Sequence, residues 1–308
     1  MVTRRSSINE RFMHATALFS EGLPEFQPSL PSFFSDEDKI AAYKSDAMVV
    51  TPYIRDIALY LMREARKDYD VMVDPTHVGV LNVGQYDCGD IKCDSRIIRK
   101  ATREKRGSEG EPRYDDVRDY GRARIYCNSP GEVAVLTQVC EWAYYADVPL
   151  PLGARIIDVE NRFEKPTPSG YRSLKANIAI PLPDAQPRPF HIIELQVLHR
   201  GFEEEIERER RNKFHRNSHE AYEGEREMTE RFWTEESFWK VSDIHGTTGL
   251  SYEVARRYGD MIRACRDIHA KAAAHHGLND IDFEPFFLRR ISMIVDPSQD
   301  GEDFEKHI

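Results

Sequence analysis

The sequence predicts an α/β (α+β) fold, a mixed β-sheet flanked by helices. Three observations predict it. Runs at Arg122 to Cys127, Arg155 to Phe163, Ser173 to Ile180 and Phe190 to Val197 carry the period-two alternation and β-branched content of strands. A helical pattern from Pro130 to Tyr145 is interleaved with them, the arrangement expected when helices cover a sheet. The chain has 308 residues, 40% of them hydrophobic and 10% aromatic, which is enough apolar surface for a buried core and bounds the chain at one large or two small domains.

Taken in order, residues 1–50 read as an N-terminal arm. Phe12, Phe19, Phe26 and Phe33 recur every seven positions, but Pro24, Pro28 and Pro31 prevent a continuous helix, so the arm is expected to pack on the body through its phenylalanines. The spacing predicts a helix from Thr51-Pro52, as cap and first turn, to about Tyr69, with Ile54, Ile57, Ala58, Leu61 and Met62 on one face. A strand is expected near Val78 to Val83, then a helix from Asp94 to Lys105 and the polar loop Arg106 to Pro112. Beyond the core alternation, Arg200 to Phe232 is charged and helical in character. A helix follows at Ser251 to His275, then a return strand at Phe283 to Val295 and a loose tail. These divisions predict a central domain over 51–232 and a C-terminal helical extension over 233–308.

Composition excludes several classes. With 43 basic and 53 acidic residues the formal net charge is −10, so the chain lacks the electrostatic footprint of a duplex-DNA-binding protein, although a local basic groove is compatible with it. Five scattered cysteines suit a reducing compartment better than a disulfide framework, and no pair of Cys/His pairs has structural-zinc spacing. No apolar run of about eighteen residues is present for a membrane span, and the polar start lacks a signal-type apolar region, so a soluble, cytoplasmic protein is expected.

The densest chemical signal is Lys165-Pro-Thr-Pro-Ser-Gly-Tyr-Arg-Ser-Leu-Lys175, followed by His191-Ile-Ile-Glu-Leu-Gln196. A Pro/Ser/Gly turn leads into one strand, and Glu194 lies isolated within the apolar run of another, so a tyrosine and a carboxylate are expected at one cleft. Taken singly, each has an ordinary explanation: Tyr171 as a core tyrosine, Glu194 as an exposed strand glutamate, Asp119 as a turn residue feeding a strand.

Four ordered motifs alter that balance. The Gly-Tyr-Arg-Ser-Leu-Lys and Glu-Leu-Gln segments, Asp119-Tyr-Gly-Arg-Ala-Arg124 entering a strand, and His219-Glu-Ala-Tyr222 together resemble the RelA/SpoT-like alarmone synthetases, in a divergent, toxin-like small-synthetase branch, over roughly residues 78 to 226. The resemblance implies a Mg2+-dependent pyrophosphotransferase that moves the β,γ-pyrophosphate of ATP to the 3′-hydroxyl of a purine nucleotide. Asp119 and Glu194 would hold Mg2+, with Glu194 also accepting the hydroxyl proton. Lys92, Arg96, Lys100, Arg122 and Arg124 would take ATP, with Arg124, or Arg122 in its place, stacked on adenine. Tyr171 would stack the acceptor purine, with Arg172, Lys175 and His219 beside it.

The chain departs from the family pattern at Asp90, where an arginine is usual, at Lys175, where a histidine is usual, and at Leu198-His199, where Arg-Thr often follows. Three alternatives therefore stay open. The same transfer onto the 3′ end of tRNA would make the protein a translation-blocking toxin. A catalytically inactive module would bind nucleotide or a partner without turnover. A toxin silenced by an antitoxin or regulatory protein would dock through the arm or the C-terminal helix. The family's hydrolase motif is not found in the sequence, so removal of any product is expected to need another enzyme.

Overall fold

Ser35 opens the longest helix among the described residues, α1 (Asp36–Met72). Its hydroxyl oxygen accepts the Asp38 backbone N–H at 3.1 Å and donates to Asp38 Oδ2 at 2.7 Å, while Asp36, Glu37 and Asp38 set negative charge at the helix start. The helix therefore begins at Asp36, not at Thr51-Pro52 as the proline suggested, and Pro52 lies inside it. Two features carry the chain through. The Thr51 hydroxyl donates to the Ala47 carbonyl at 2.6 Å. On either side of the proline, Ala47, Val50, Ile54, Ile57, Ala58 and Leu61 are all buried, so tertiary packing of one continuous apolar stripe outweighs one missing backbone hydrogen bond on the exposed side.

The computed structural model describes residues 19, 22–24, 26–72, 85–88, 91–103, 112–167, 169–183, 188–214, 252–281 and 283. Among them, β1 (Gln85–Cys88), α2 (Asp94–Arg103), β2 (Arg122–Cys127), α3 (Pro130–Tyr145), β3 (Arg155–Asn161), β4 (Leu174–Pro181), β5 (Phe190–His199), α4 (Arg200–Phe214) and α5 (Tyr252–His275) follow in chain order. The expected strand at Val78 to Val83, the helical stretch past Phe214 and the return strand past Phe283 lie outside the described residues. The strand expected to reach Phe163 stops at Asn161, because the Asn161 side-chain oxygen accepts the backbone N–H groups of Phe163 and Glu164 and turns the chain.

The sheet is mixed and five-stranded, in the order β1-β2-β5-β4-β3. β1 pairs antiparallel with β2, and β4 with β5 in a register that sets Lys175 opposite Gln196 and Asn177 opposite Glu194. One face is apolar, with Ala123, Ile125, Ile193, Leu195, Leu174, Ala176 and Ile178 buried to 1% or less, and α1 and α3 pack together beside β2. α3 starts with Ser129 as cap and Pro130 in its first turn, and the Glu132 carboxylate returns to the Asn128 N–H, a reciprocal cap.

The arm docks as its phenylalanines suggested, in part. Phe19 is buried against Ala179, Ile192 and Phe190, and Arg113 and Arg118 lie over the Phe26 ring, whereas Phe33 is 83% exposed. Gln27 adds a contact that hydrophobic patterning does not report. Its side-chain amide donates to the Ile192 carbonyl at 2.7 Å and accepts the Ile192 N–H at 2.8 Å, pairing with β5 as a strand neighbour would.

The chain divides into two compact units. The first comprises Met1–Glu160, Leu174–Val197 and Asp282–Ile308, and holds α1, α2, α3 and nearly all of the sheet. The second comprises Asn161–Ser173 and Leu198–Ile281, in which α4 packs on α5.

Candidate active site

Period-two alternation places polar side chains in rows across the other face of the sheet in the first unit. On β2 these are Arg122, Arg124 and Tyr126, all partly buried; on β5 they are Glu194 and Gln196; on β4, Lys175 and Asn177; on β3, Asp158 and Glu160. The rows are tied together. Arg122 Nε lies 2.9 Å from Glu194 Oε1, Gln196 donates to the same oxygen at 2.7 Å, Asn177 and Arg118 both donate to Asp158 Oδ2 at 3.0 Å, and Lys175 Nζ sits 3.5 Å from Glu160.

Asp119 is the centre of this network. It lies just before β2, is only 3% exposed, and receives Lys92 and Arg122 on Oδ2 and Lys100 on Oδ1, the last two at 2.8 Å. Lys92 is delivered by the loop before α2, pinned by its own N–H to the Tyr120 carbonyl, and Lys100 comes from α2 itself. Burial pushes the Asp119 carboxyl up, but Lys100, Lys92 and Arg122 outweigh it and hold the group well below the usual carboxylate range. Burial also acts on Lys92, assisted by the charges of Lys100 and Arg122 and opposed by Asp119, and lowers it to about 8 from an ordinary 10.5.

Glu194, 6% exposed, shares Arg122 with Asp119, so the two carboxylates are linked through a single guanidinium. Three cations against two carboxylates leave this cluster with one excess positive charge. Such a cluster receives an anion, or an anion carrying a divalent metal ion, more readily than a bare cation. His191, on the opposite face of β5, is driven to about 3 by burial and then by Arg188, so it is neutral and offers no proton exchange near neutral pH.

Tyr171 and Arg172 belong to the second unit. The turn ahead of them is knit by Thr167, whose carbonyl accepts the Gly170 N–H at 2.7 Å and whose hydroxyl oxygen accepts the Tyr171 N–H at 2.9 Å. Gly170 has φ +84°, a conformation that an L side chain resists, which explains the glycine ahead of the tyrosine. The Tyr171 ring is partly buried between Phe202 and His269, at centroid distances of 6.0 and 5.8 Å. His269 is itself fixed, with Nδ1 2.6 Å from the Ser169 carbonyl and Nε2 2.6 Å from Arg210; burial, then Arg210, lower it to about 3. Arg172 donates to the Phe163 carbonyl and to Asn279.

The structure thus brings together Asp119, Glu194, Lys92, Lys100 and Arg122, and sets Arg124 and Lys175 on the same sheet face. Arg96 lies one helical turn before Lys100 on α2, which gives the two a common side. His219 and Asp90 lie outside the described residues. Sequence reading assigned no role to Asp158, Glu160, Asn177, Gln196 and Arg118. The signal for the first four was available, since alternate positions of β3, β4 and β5 are polar once the pairing register is known.

Solved structures similar to this one include alarmone synthetases. The small alarmone synthetase 1 from Bacillus subtilis bound to its product pppGpp aligns at 14% identity and a TM-score of 0.39, over 78% of this chain and 96% of that one. The small alarmone synthetase 2 from the same organism aligns at 14% and 0.39, over 77% and 97%. A GTP pyrophosphokinase family protein from Streptococcus pneumoniae aligns at 13% and 0.39, over 82% and 96%. No protein-family model and no curated protein matches the chain. At these identities and scores the functional reading rests on the chain's own residues.

Proposed function

We propose that the protein is a RelA/SpoT-like ATP:nucleotide 3′-pyrophosphotransferase, with its donor site on the polar sheet face around Asp119 and Glu194. The observation that carries this reading is the pair of buried carboxylates bridged by Arg122, with two lysines on Asp119. Surplus positive charge suits a polyphosphate, and Lys92, Lys100 and Arg122 would exchange their contacts to Asp119 for phosphate oxygens as ATP enters. Asp119 and Glu194 supply the hard oxygen donors that Mg2+ requires, so the donor set fits that ion. When bound, Mg2+ supplies charge neutralisation on the transferring phosphates.

In the reaction we infer, the acceptor's 3′-oxygen attacks the β-phosphorus, the bond from that phosphorus to the α–β bridging oxygen breaks, AMP leaves, and Glu194 takes the hydroxyl proton. Arg124 and Arg96 are assigned to the adenine side of ATP. Tyr171, Arg172, Lys175 and His219 are assigned to a purine-nucleotide acceptor on their sequence motifs.

The test offers Mg2+ and ATP labelled on its terminal phosphate to the purified protein with GDP, GTP, ADP, AMP or bulk tRNA. Label should move to a purine mononucleotide. Glu194→Gln should lower transfer by about 10²- to 10⁴-fold, the range for loss of a general base, with little change in unfolding midpoint. Asp119→Asn should differ, because it removes the buried carboxylate on which Lys92 and Lys100 converge, while Arg122 keeps its second carboxylate at Glu194, and destabilises by about 3–5 kcal/mol. Absence of transfer to every acceptor, or a Glu194→Gln protein as active as wild type, would overturn the proposal.

A further inference from the structure

The second unit contains a group of side chains that the transfer chemistry does not use. We propose that Glu205, His275 and His276 form a binding site for a divalent transition-metal ion of the zinc class. Glu205 projects from α4; His275 ends α5 and His276 follows it. Glu205 Oε2 lies 2.7 Å from His275 Nδ1 and 3.0 Å from His276 Nε2, and the three ligand atoms lie within 4.8 Å of one another. A tetrahedral zinc ion with bonds of about 2.0–2.1 Å separates its ligand atoms by roughly 3.3 Å, near the two Glu205–histidine distances and within the 4.8 Å that bounds the cluster. Two imidazoles and one carboxylate, with a fourth position for water, form a zinc donor set. Mg2+ and Ca2+ favour oxygen alone, which separates this site from the one assigned to ATP.

The surroundings hold the rings in place. Beyond α5 the Leu278 N–H returns to the Ala273 carbonyl at 2.8 Å and the His276 N–H to the Ala272 carbonyl at 3.0 Å, closing the helix end and fixing the backbone that bears both histidines. The buried His199 ring packs 5.0 Å from that of His276. Gly201 in the first turn of α4 leaves the space that His276 occupies, since a Cβ there would overlap the ring, with Nδ1 only 2.8 Å away.

The test titrates metal-free, full-length protein with Zn2+ against a chromogenic chelator, and follows Co2+ by its visible d–d absorption as a report of tetrahedral geometry. One equivalent should bind. Glu205→Gln and His275→Gln should each weaken it by about tenfold or more, as should Gly201→Ala through the displaced ring. Cys93→Ser, at an exposed thiol of the other unit, should leave it unchanged. Because the His275 side chain is 70% exposed, circular dichroism of His275→Gln should match wild type and separate loss of the site from loss of the fold. Failure of the wild type to compete for Zn2+, or equal binding by wild type, Glu205→Gln and His275→Gln, would overturn the proposal.

Discussion

Lys92 shows how one side chain connects burial to function. An exposed lysine remains charged to about pH 10. This one is lowered to about 8 by burial and by its cationic neighbours, so its charge disappears within an accessible pH range. If Lys92 receives phosphate, kcat/KM for ATP should fall as pH rises through about 8, and Lys92→Arg should remove that limb while retaining activity. A profile flat to pH 9 would detach Lys92 from ATP. The stability sign is opposite to that of a salt-bridged lysine with a raised value. Between about 8 and 10.5 the unfolded chain holds a proton that the folded chain has released, so this group's contribution to stability rises with pH across that window. Asp119, held below its ordinary value, contributes stability above the unfolded carboxylate pKa, and that contribution is lost as pH falls through the folded value.

At the scale of elements, local chemistry gave most boundaries. β2 and α3 begin and end where their patterns predicted, because Ser129-Pro130 is a strong start signal and the alternation in Arg122 to Cys127 is unbroken. α1 departs furthest. A proline reads as a boundary in sequence, but here it occupies the exposed side of a helix whose other side is buried along its length. Pro52→Ala restores a donor to the Met48 carbonyl without disturbing the buried stripe, so thermal unfolding should shift upward, by an amount corresponding to at most about 3 kcal/mol. A lower midpoint would show that the proline is needed to seat both halves of α1.

At the scale of the whole molecule, a formal charge of −10 coexists with a cluster at the candidate site in which Lys92, Lys100 and Arg122 meet Asp119 and Glu194, so the excess positive charge there is local to that cluster. Duplex DNA should therefore produce no mobility shift at physiological salt; a shift there would show that the local cations extend into a continuous groove. No helix among the described residues is long and apolar enough to cross a membrane. The sequence by itself determined the α+β class and the four strands between Arg122 and Val197, because periodicity is a local property, while its resemblance to the alarmone synthetases pointed to Asp119, Glu194, Lys92 and Tyr171; the strand at Gln85–Cys88 was not legible in it. Tertiary structure decided the rest. Strand order and register select which alternate residues meet, so Asn177 comes opposite Glu194 and Arg122 comes to bridge the two carboxylates. Gln27 reaches Ile192, and Glu205 reaches two histidines some seventy residues later, through contacts that no local pattern encodes. Charge pairing across such distances follows from the fold, since a side chain's partner is fixed only when two distant backbones have been brought together.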